Sequence, residues 1–162
     1  FPMTEFTKLD EFPELYAKGM IELELVPQGT LAERIRAGGA GIPAFYTPTT
    51  IGTPLAEGKE IRHIDGKSYV LEYALKADFA LIKCKTADRY GNLLYNKTAR
   101  NFGPIMCMAA KTSIVQTSSL VEPGEIDPEN VVTPGIFVKR VVKISNPLSE
   151  NQLLRENRRY PW

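Results

Sequence analysis

The dipeptide Asp65-Gly66 constrains this chain more than any other feature of its sequence. It stands between IRHI and KSYVLEY, two short runs with strand character. Asp-Gly is the pair a two-residue type I′ turn calls for, because both of its positions need positive φ. A β-hairpin over residues 61–73 is therefore predicted.

Around that hairpin the hydrophobic pattern alternates between strand and helix. Residues 78–85 (DFALIKCK) read as an apolar strand and residues 111–116 (KTSIVQ) as a second, buried one. Between them residues 101–110 (NFGPIMCMAA) begin a helix with Pro104 in its first turn. A late strand falls within residues 131–143, which hold TPGIFVKRVVK. Residues 86–92 (TADRYGN) read as a polar loop carrying a Gly-Asn turn.

Upstream, residues 9–18 predict a short helix with Gly19 at its left-handed end, and residues 20–27 (MIELELVP) alternate apolar and acidic as a strand does. Gln28-Gly29-Thr30 follows as a tight turn, with Thr30 capping a helix over residues 31–37 and Glu33 three positions on. Gly38-Gly39-Ala40-Gly41 ends that helix, and residues 42–53, punctuated by proline, read as an ordered loop. Strands separated by helices and long loops predict an α/β domain with an open mixed sheet flanked by helices. At 162 residues one domain is expected, over residues 1–143, followed by a tail at 144–162 with a short helix at 149–155.

Charge narrows the partners. With 20 basic and 19 acidic residues the net charge is +1, so nothing draws the chain as a whole toward nucleic acid or a membrane surface. No apolar run reaches the length of a bilayer span. Cys84 and Cys107 both sit in apolar surroundings and read as reduced, packed thiols. The expected location is bacterial cytoplasm or mitochondrial matrix.

The usual chemistry is sparse. The only histidine, His63, lies two residues before the hairpin turn and reads as an exposed structural residue. No Cys-x-x-Cys, no paired metal-binding histidines and no phosphate-binding glycine loop occurs, so no metal site is expected. What remains is VPQGTLAERIRAGGAG at residues 26–41, where a strand end, a Gln in a turn, a helix N-terminus and a glycine cluster follow one another. Such a unit puts free N–H groups and a neutral amide where α/β sheets bind ligands. Gln28 could donate to a developing oxyanion there; a plain surface turn residue is the alternative.

Four segments carry a wider resemblance: IELELVPQGTLAERIRAGGAGIPAFYTP, DGKSYVLEYALKADFALIK, ADRYGNLLYNKTARNFGPIMCMAA and VEPGEIDPENVVTPGIFVKRVV. In this order, over about residues 17–142, they resemble the A (alpha) subunit of family I 3-oxoacid and 3-oxoadipate CoA-transferases. The resemblance implies the CoA-transferase (NagB/RpiA-like) fold, with the family's N-terminal part missing, including its GGFG-type turn and Asn-Asn-Ala-Gly segment. It implies CoA transfer from an acyl-CoA, succinyl-CoA foremost, to a 3-oxo acid such as 3-oxoadipate or acetoacetate.

The nucleophile would be a glutamate on a separate B (beta) subunit, in an A2B2-type assembly. No metal or redox cofactor is implied, coenzyme A being a substrate. Gln28 falls on the oxyanion-stabilising Gln of the family's PQGT turn, with Gly29 beside it expected to line the substrate; Gly38, Gly39 and Gly41 fall on the family's glycine-rich substrate-lining segment; Arg100 and Asn101 fall on its ARNF segment. Phe102-Gly103-Pro104 and IFVKRVV lean toward 3-oxoadipate. Pro48-Thr49-Thr50-Ile51-Gly52 departs from the family's PTG-type loop. Ser149-Glu150-Asn151-Gln152 resembles the beta subunit's nucleophile segment but reads as a capping box. A non-catalytic binding or assembly module of the same fold is the alternative function.

Overall fold

The computed structural model describes residues 11–146. The expected helix at 149–155 lies outside the described residues. The chain opens on α1 (Glu11–Ala17), which ends as its sequence predicts. Gly19 takes φ 66°, and the N–H groups of Gly19 and Met20 turn back onto the carbonyls of Tyr16 and Leu15 at 2.9 Å each.

Residues 20–27 depart from expectation. They form no strand, and Met20, Leu23 and Leu25 are exposed. Alternation favours an extended chain, but a strand exists only where a neighbour takes its hydrogen bonds, and among the described residues none does.

The helix that follows, α2 (Gln28–Ala40), is longer at both ends than predicted. Gln28, Gly29 and Thr30 are its first turn, not a loop before it. Thr30 is buried inside the helix and caps nothing. Gly38 and Gly39 lie within it, and the chain leaves through Gly41 at φ 76°.

Among the described residues nine strands form three small sheets. The first is antiparallel, in the order β1 (Ala44–Thr47), β3 (Lys67–Tyr73), β2 (Ile61–Ile64). It contains the predicted hairpin, with Asp65 at φ 48° and Gly66 at φ 75°. β1 is a correction to the loop expected at 42–53: residues 44–47 pair with β3, Ala44 opposite Tyr73. Pro43 and Pro48 bracket this strand without interrupting it.

The second sheet is parallel, with β7 (Ala110–Thr117) between β4 (Ala77–Lys83) and β9 (Arg140–Lys143). The late strand is thus confined to 140–143, because residues 135–137 wind into a 3-10 turn. α3 (Gly103–Ala109) leads straight into β7 and has Pro104 in its first turn, as expected. The third sheet joins β5 (Thr86–Asp88) to β6 (Leu93–Leu94) and β8 (Ser119–Val121). The loop expected at 86–92 is therefore in part a buried strand, and Asp88 organises its turn. One carboxylate oxygen accepts from the N–H groups of Tyr90 and Asn92, and the other from the Asn92 amide at 2.7 Å.

The main core lies between α3 and the β4–β7 pair, built on Ala80, Ile82, Cys84, Cys107 and Val115, with Leu93 from the third sheet and Tyr95 just after it. Both cysteines are buried free thiols. Among the described residues β4 is an edge strand, and its other face leaves Phe79 and Leu81 exposed. The α/β class with helices against a mixed set of strands is as expected, though its strands divide among three sheets.

Candidate functional site

The first turn of α2 is placed by Pro27. Its φ of −56° and ψ of 138° swing the chain into the helix, and its carbonyl accepts from Leu31 at 2.9 Å. That is the first helical bond, so the N–H groups of Gln28, Gly29 and Thr30 stand at the positive end of the helix. Gln28 and Gly29 are exposed.

Beside this turn opens a cleft of about 390 Å³ lined by Pro27, Gly29, Thr30, Glu33, Tyr46 and Thr47, among others. Glu33 is bound by Arg36 at 2.6 Å, and that bond holds its carboxyl below the usual range. The Tyr46 hydroxyl donates to Glu60, which raises its pKa, and the Arg62 guanidinium stands 5.1 Å from its ring centroid. These contacts fix one wall of the cleft. Nothing in the sequence singles out Tyr46, because its partners come from the neighbouring hairpin.

The glycines expected beside the ligand do not share this place. Gly38 and Gly39 are ten and more positions along α2, about 15 Å from Gln28 at the helical rise. A side chain at Gly38 would stand 2.2 Å from the Leu75 carbonyl oxygen, and one at Gly39 would stand 2.5 Å from Met108 Cβ. Their bareness is used by protein: α2 lies directly on the β3–β4 connection and on α3. Gly41 is exposed at the left-handed end of the helix, with nothing within 4 Å of an added carbon. Within residues 26–41 a single helix, α2, runs through both the Gln28 turn and Gly38-Gly39.

Arg100 and Asn101 line a different cleft, of about 330 Å³, with Leu81, Lys83, Phe102 and Met106. Asn101 has φ 40° and ψ −129°, a backbone state that costs a residue with a side chain about 1–3 kcal/mol. The sequence did not single out Lys83, which lay inside the strand expected at 78–85; the structure ends β4 at this residue. The two clefts have no lining residue in common.

Among the described residues no group of three His, Cys, Asp or Glu side chains could hold a metal ion. No helix there is long and apolar enough to cross a membrane. His63 is exposed on β2 and meets the Ser68 hydroxyl at 3.1 Å.

Comparison with known proteins adds the family. Residues 5–144 match the coenzyme A transferase family model. The A subunit of 3-oxoadipate CoA-transferase from Pseudomonas putida is 66% identical over 134 residues, which are 83% of this chain and 58% of that protein. The A subunit of succinyl-CoA:3-ketoacid coenzyme A transferase from Xanthomonas campestris (strain B100) is 58% identical over 137 residues, 85% of this chain and 57% of that protein. The chain thus spans less than two thirds of these curated relatives.

Among solved structures, an acyl-CoA transferase from Escherichia coli O157:H7 in a thioester complex with CoA superposes with a TM-score of 0.75 at 23% identity, covering 83% of this chain and 32% of that one. Glutaconate coenzyme A-transferase from Acidaminococcus fermentans gives a TM-score of 0.66 at 20% identity, covering 82% of this chain and 49% of that one. At these identities the superpositions establish a shared fold. The family match over residues 5–144, together with relatives as close as 66% identity, settles descent: this chain belongs to the coenzyme A transferase family.

Proposed function

We propose that this chain is the larger part of the alpha subunit of a CoA-transferase that moves CoA from an acyl-CoA, succinyl-CoA foremost, to a 3-oxo acid. The observation that carries the reading is the 66% identity over 134 residues with the corresponding subunit of a 3-oxoadipate CoA-transferase. The nucleophile is a glutamate of the beta subunit, and the two subunits together form the active site. That carboxylate attacks the thioester carbonyl and expels CoA thiolate, leaving an acyl-glutamyl anhydride. The thiolate returns to the glutamyl carbonyl, releases the first acid and forms glutamyl-CoA; the second acid reverses both steps. Coenzyme A is a substrate, and no resident cofactor takes part.

Each carbonyl addition builds negative charge on oxygen. Gln28 answers that need with a neutral side-chain amide whose donor does not titrate, carried on a helix end with unpaired N–H groups at Gly29 and Thr30. The exposure of Gln28 and Gly29 leaves this end of α2 open to a substrate held by the beta subunit. The buried, free Cys84 and Cys107 fit a reducing compartment, and the cytoplasm is the proposed location.

The test is transfer from succinyl-CoA to 3-oxoadipate and to acetoacetate, by the full-length alpha subunit co-expressed with its beta partner. Gln28→Ala is expected to lower kcat about 100- to 1000-fold, the loss typical of one oxyanion donor. A variant as active as wild type removes Gln28 from the chemistry. A complex that forms yet transfers CoA to neither acid overturns the reading.

A further inference from the structure

The cleft beside the first turn of α2 is fitted for an uncharged ligand. Pro27, Gly29 and Thr30, which flank Gln28, form one side, and β1 faces them with Phe45, Tyr46 and Thr47. Glu33 is the one charged side chain among the described lining residues, and it is paired with Arg36 at 2.6 Å. The lining therefore offers a phosphate or a carboxylate no cation. Clefts that do carry cations, around Lys83 and Arg100 and around Arg89, Lys139 and Arg140, include no residue of α2.

Pro27 and Phe45 give the cleft apolar surface, and Thr49 gives it a hydroxyl with a proton to spare. The Thr47 hydroxyl donates to Thr49 Oγ1 at 3.1 Å and accepts from the Thr49 N–H at 3.3 Å. Thr49 is exposed, and its own hydroxyl proton goes to no described residue. The Tyr46 hydroxyl, in contrast, is spent on Glu60. The turn after Thr49 is strained: Thr50 takes φ 77°, which a β-branched residue rarely adopts, and its buried hydroxyl has no partner among the described residues. Thr53 pins the Thr50 carbonyl through its N–H at 3.0 Å and its hydroxyl at 2.7 Å. Strain upheld in this way gathers at ligand sites.

We propose that this cleft receives the pantetheine chain of the acyl-CoA, with the Thr49 hydroxyl donating to one of its amide carbonyls. The inference rests on the CoA-transferase reading above and adds to it where the donor's carrier arm lies on the alpha subunit. That arm is the neutral part of CoA: outward from the thioester sulfur come two amides joined by short hydrocarbon stretches, and the phosphates only beyond them. A thioester held at Gln28 leads its arm past Gly29 and Thr30 into a lining of apolar surface and one free hydroxyl donor, the mixture that orients a ligand of this kind.

The experiment uses the full-length alpha subunit in complex with its beta partner, with succinyl-CoA and succinyl-pantetheine as donors and 3-oxoadipate and acetoacetate as acceptors. Thr49→Val keeps the shape of threonine without the hydroxyl. It is expected to lower kcat/KM about 3- to 10-fold for both donors alike, the worth of one neutral hydrogen bond. kcat/KM for the acid should not change, because in the ping-pong cycle the acid meets glutamyl-CoA, whose arm is already bound. Thr49→Ser keeps the hydroxyl and should recover most of the loss. A loss below about twofold for the donors in Thr49→Val overturns the proposal, being less than one such bond supplies. An equal loss for donor and acid assigns Thr49 to loop structure and overturns it as well. So does a loss with succinyl-CoA that succinyl-pantetheine does not share, which places the hydroxyl against the nucleotide. Transfer to neither acid by wild type sinks the CoA-transferase reading itself, and this proposal with it.

Discussion

Replacing Gly38 by alanine sets two effects of opposite sign against each other, and the geometry decides between them. Within a helix, alanine is better than glycine by about 1 kcal/mol, so propensity alone makes Gly38→Ala stabilising. The added carbon, however, would stand 2.2 Å from the Leu75 carbonyl oxygen and 2.9 Å from its carbon. An aliphatic carbon approaches a carbonyl oxygen to about 3.3 Å, so α2 and the β3–β4 connection must part by about 1 Å.

Neither side yields easily. One turn earlier in α2, the Arg34 carbonyl accepts from the Leu75 N–H, and Arg34 Nε donates to the Tyr73 carbonyl, both at 2.8 Å. Overpacking costs about 1–3 kcal/mol and a lost hydrogen bond about 1 kcal/mol, against the gain of about 1 kcal/mol. The expected net loss is about 1–3 kcal/mol, or a melting point lower by roughly 2–12 °C for a chain of this size. Calorimetry of the full-length protein measures it. Gly29→Ala is the reference, because in the same helix its added carbon meets nothing within 4 Å. A Gly38→Ala protein that melts at or above the wild-type temperature refutes the packing argument.

Two further outcomes follow from buried groups. Lys59→Ala strips the partner from Glu72, whose side chain is 3% exposed and bonded at 2.6 Å by a lysine that is itself 28% exposed. A loss of about 3 kcal/mol is expected in urea denaturation, the low end for breaking a buried pair, and a loss below about 0.5 kcal/mol would contradict it. Cys107 is pushed by burial from 9.0 up to about 11. The folded state therefore holds the neutral thiol; its contribution to stability is complete below pH 9 and is lost as pH rises toward 11. Denaturant titrations between those limits should show that decline, and Cys107→Ser should flatten it.

What the sequence discloses here depends on how local the cause is. The Asp65-Gly66 hairpin was legible because two adjacent residues carry the whole turn. α3 and β7 were legible because Pro104 and a run of apolar residues mark them directly. β1 was not, since nothing near residues 44–47 says that residues 70–73 will pair with them. Residues 20–27 show the converse, a strand pattern without a strand partner. In α2 the pair Gly38-Gly39 looked like a terminator, but tertiary packing outweighed its poor helix propensity. For the candidate site, Gln28, Arg100 and Asn101 could be picked from the sequence; the separate clefts lined by Gly29 and by Arg100, with Tyr46 in one and Lys83 in the other, required the fold.

The parallel pairing of β4 with β7 imposes an order of events on a chain leaving the ribosome. The β2–β3 hairpin closes over two residues and can form within about 1–10 μs. Ala77, in contrast, finds its partner only at Ala110, after β5, β6 and α3 have been synthesised, and β9 joins later still. Contacts this distant in sequence slow folding. Throughout that interval β4, with Phe79 and Leu81 on an uncovered face, is an edge open to misassembly, so nascent chains are most vulnerable between completion of β4 and docking of β7.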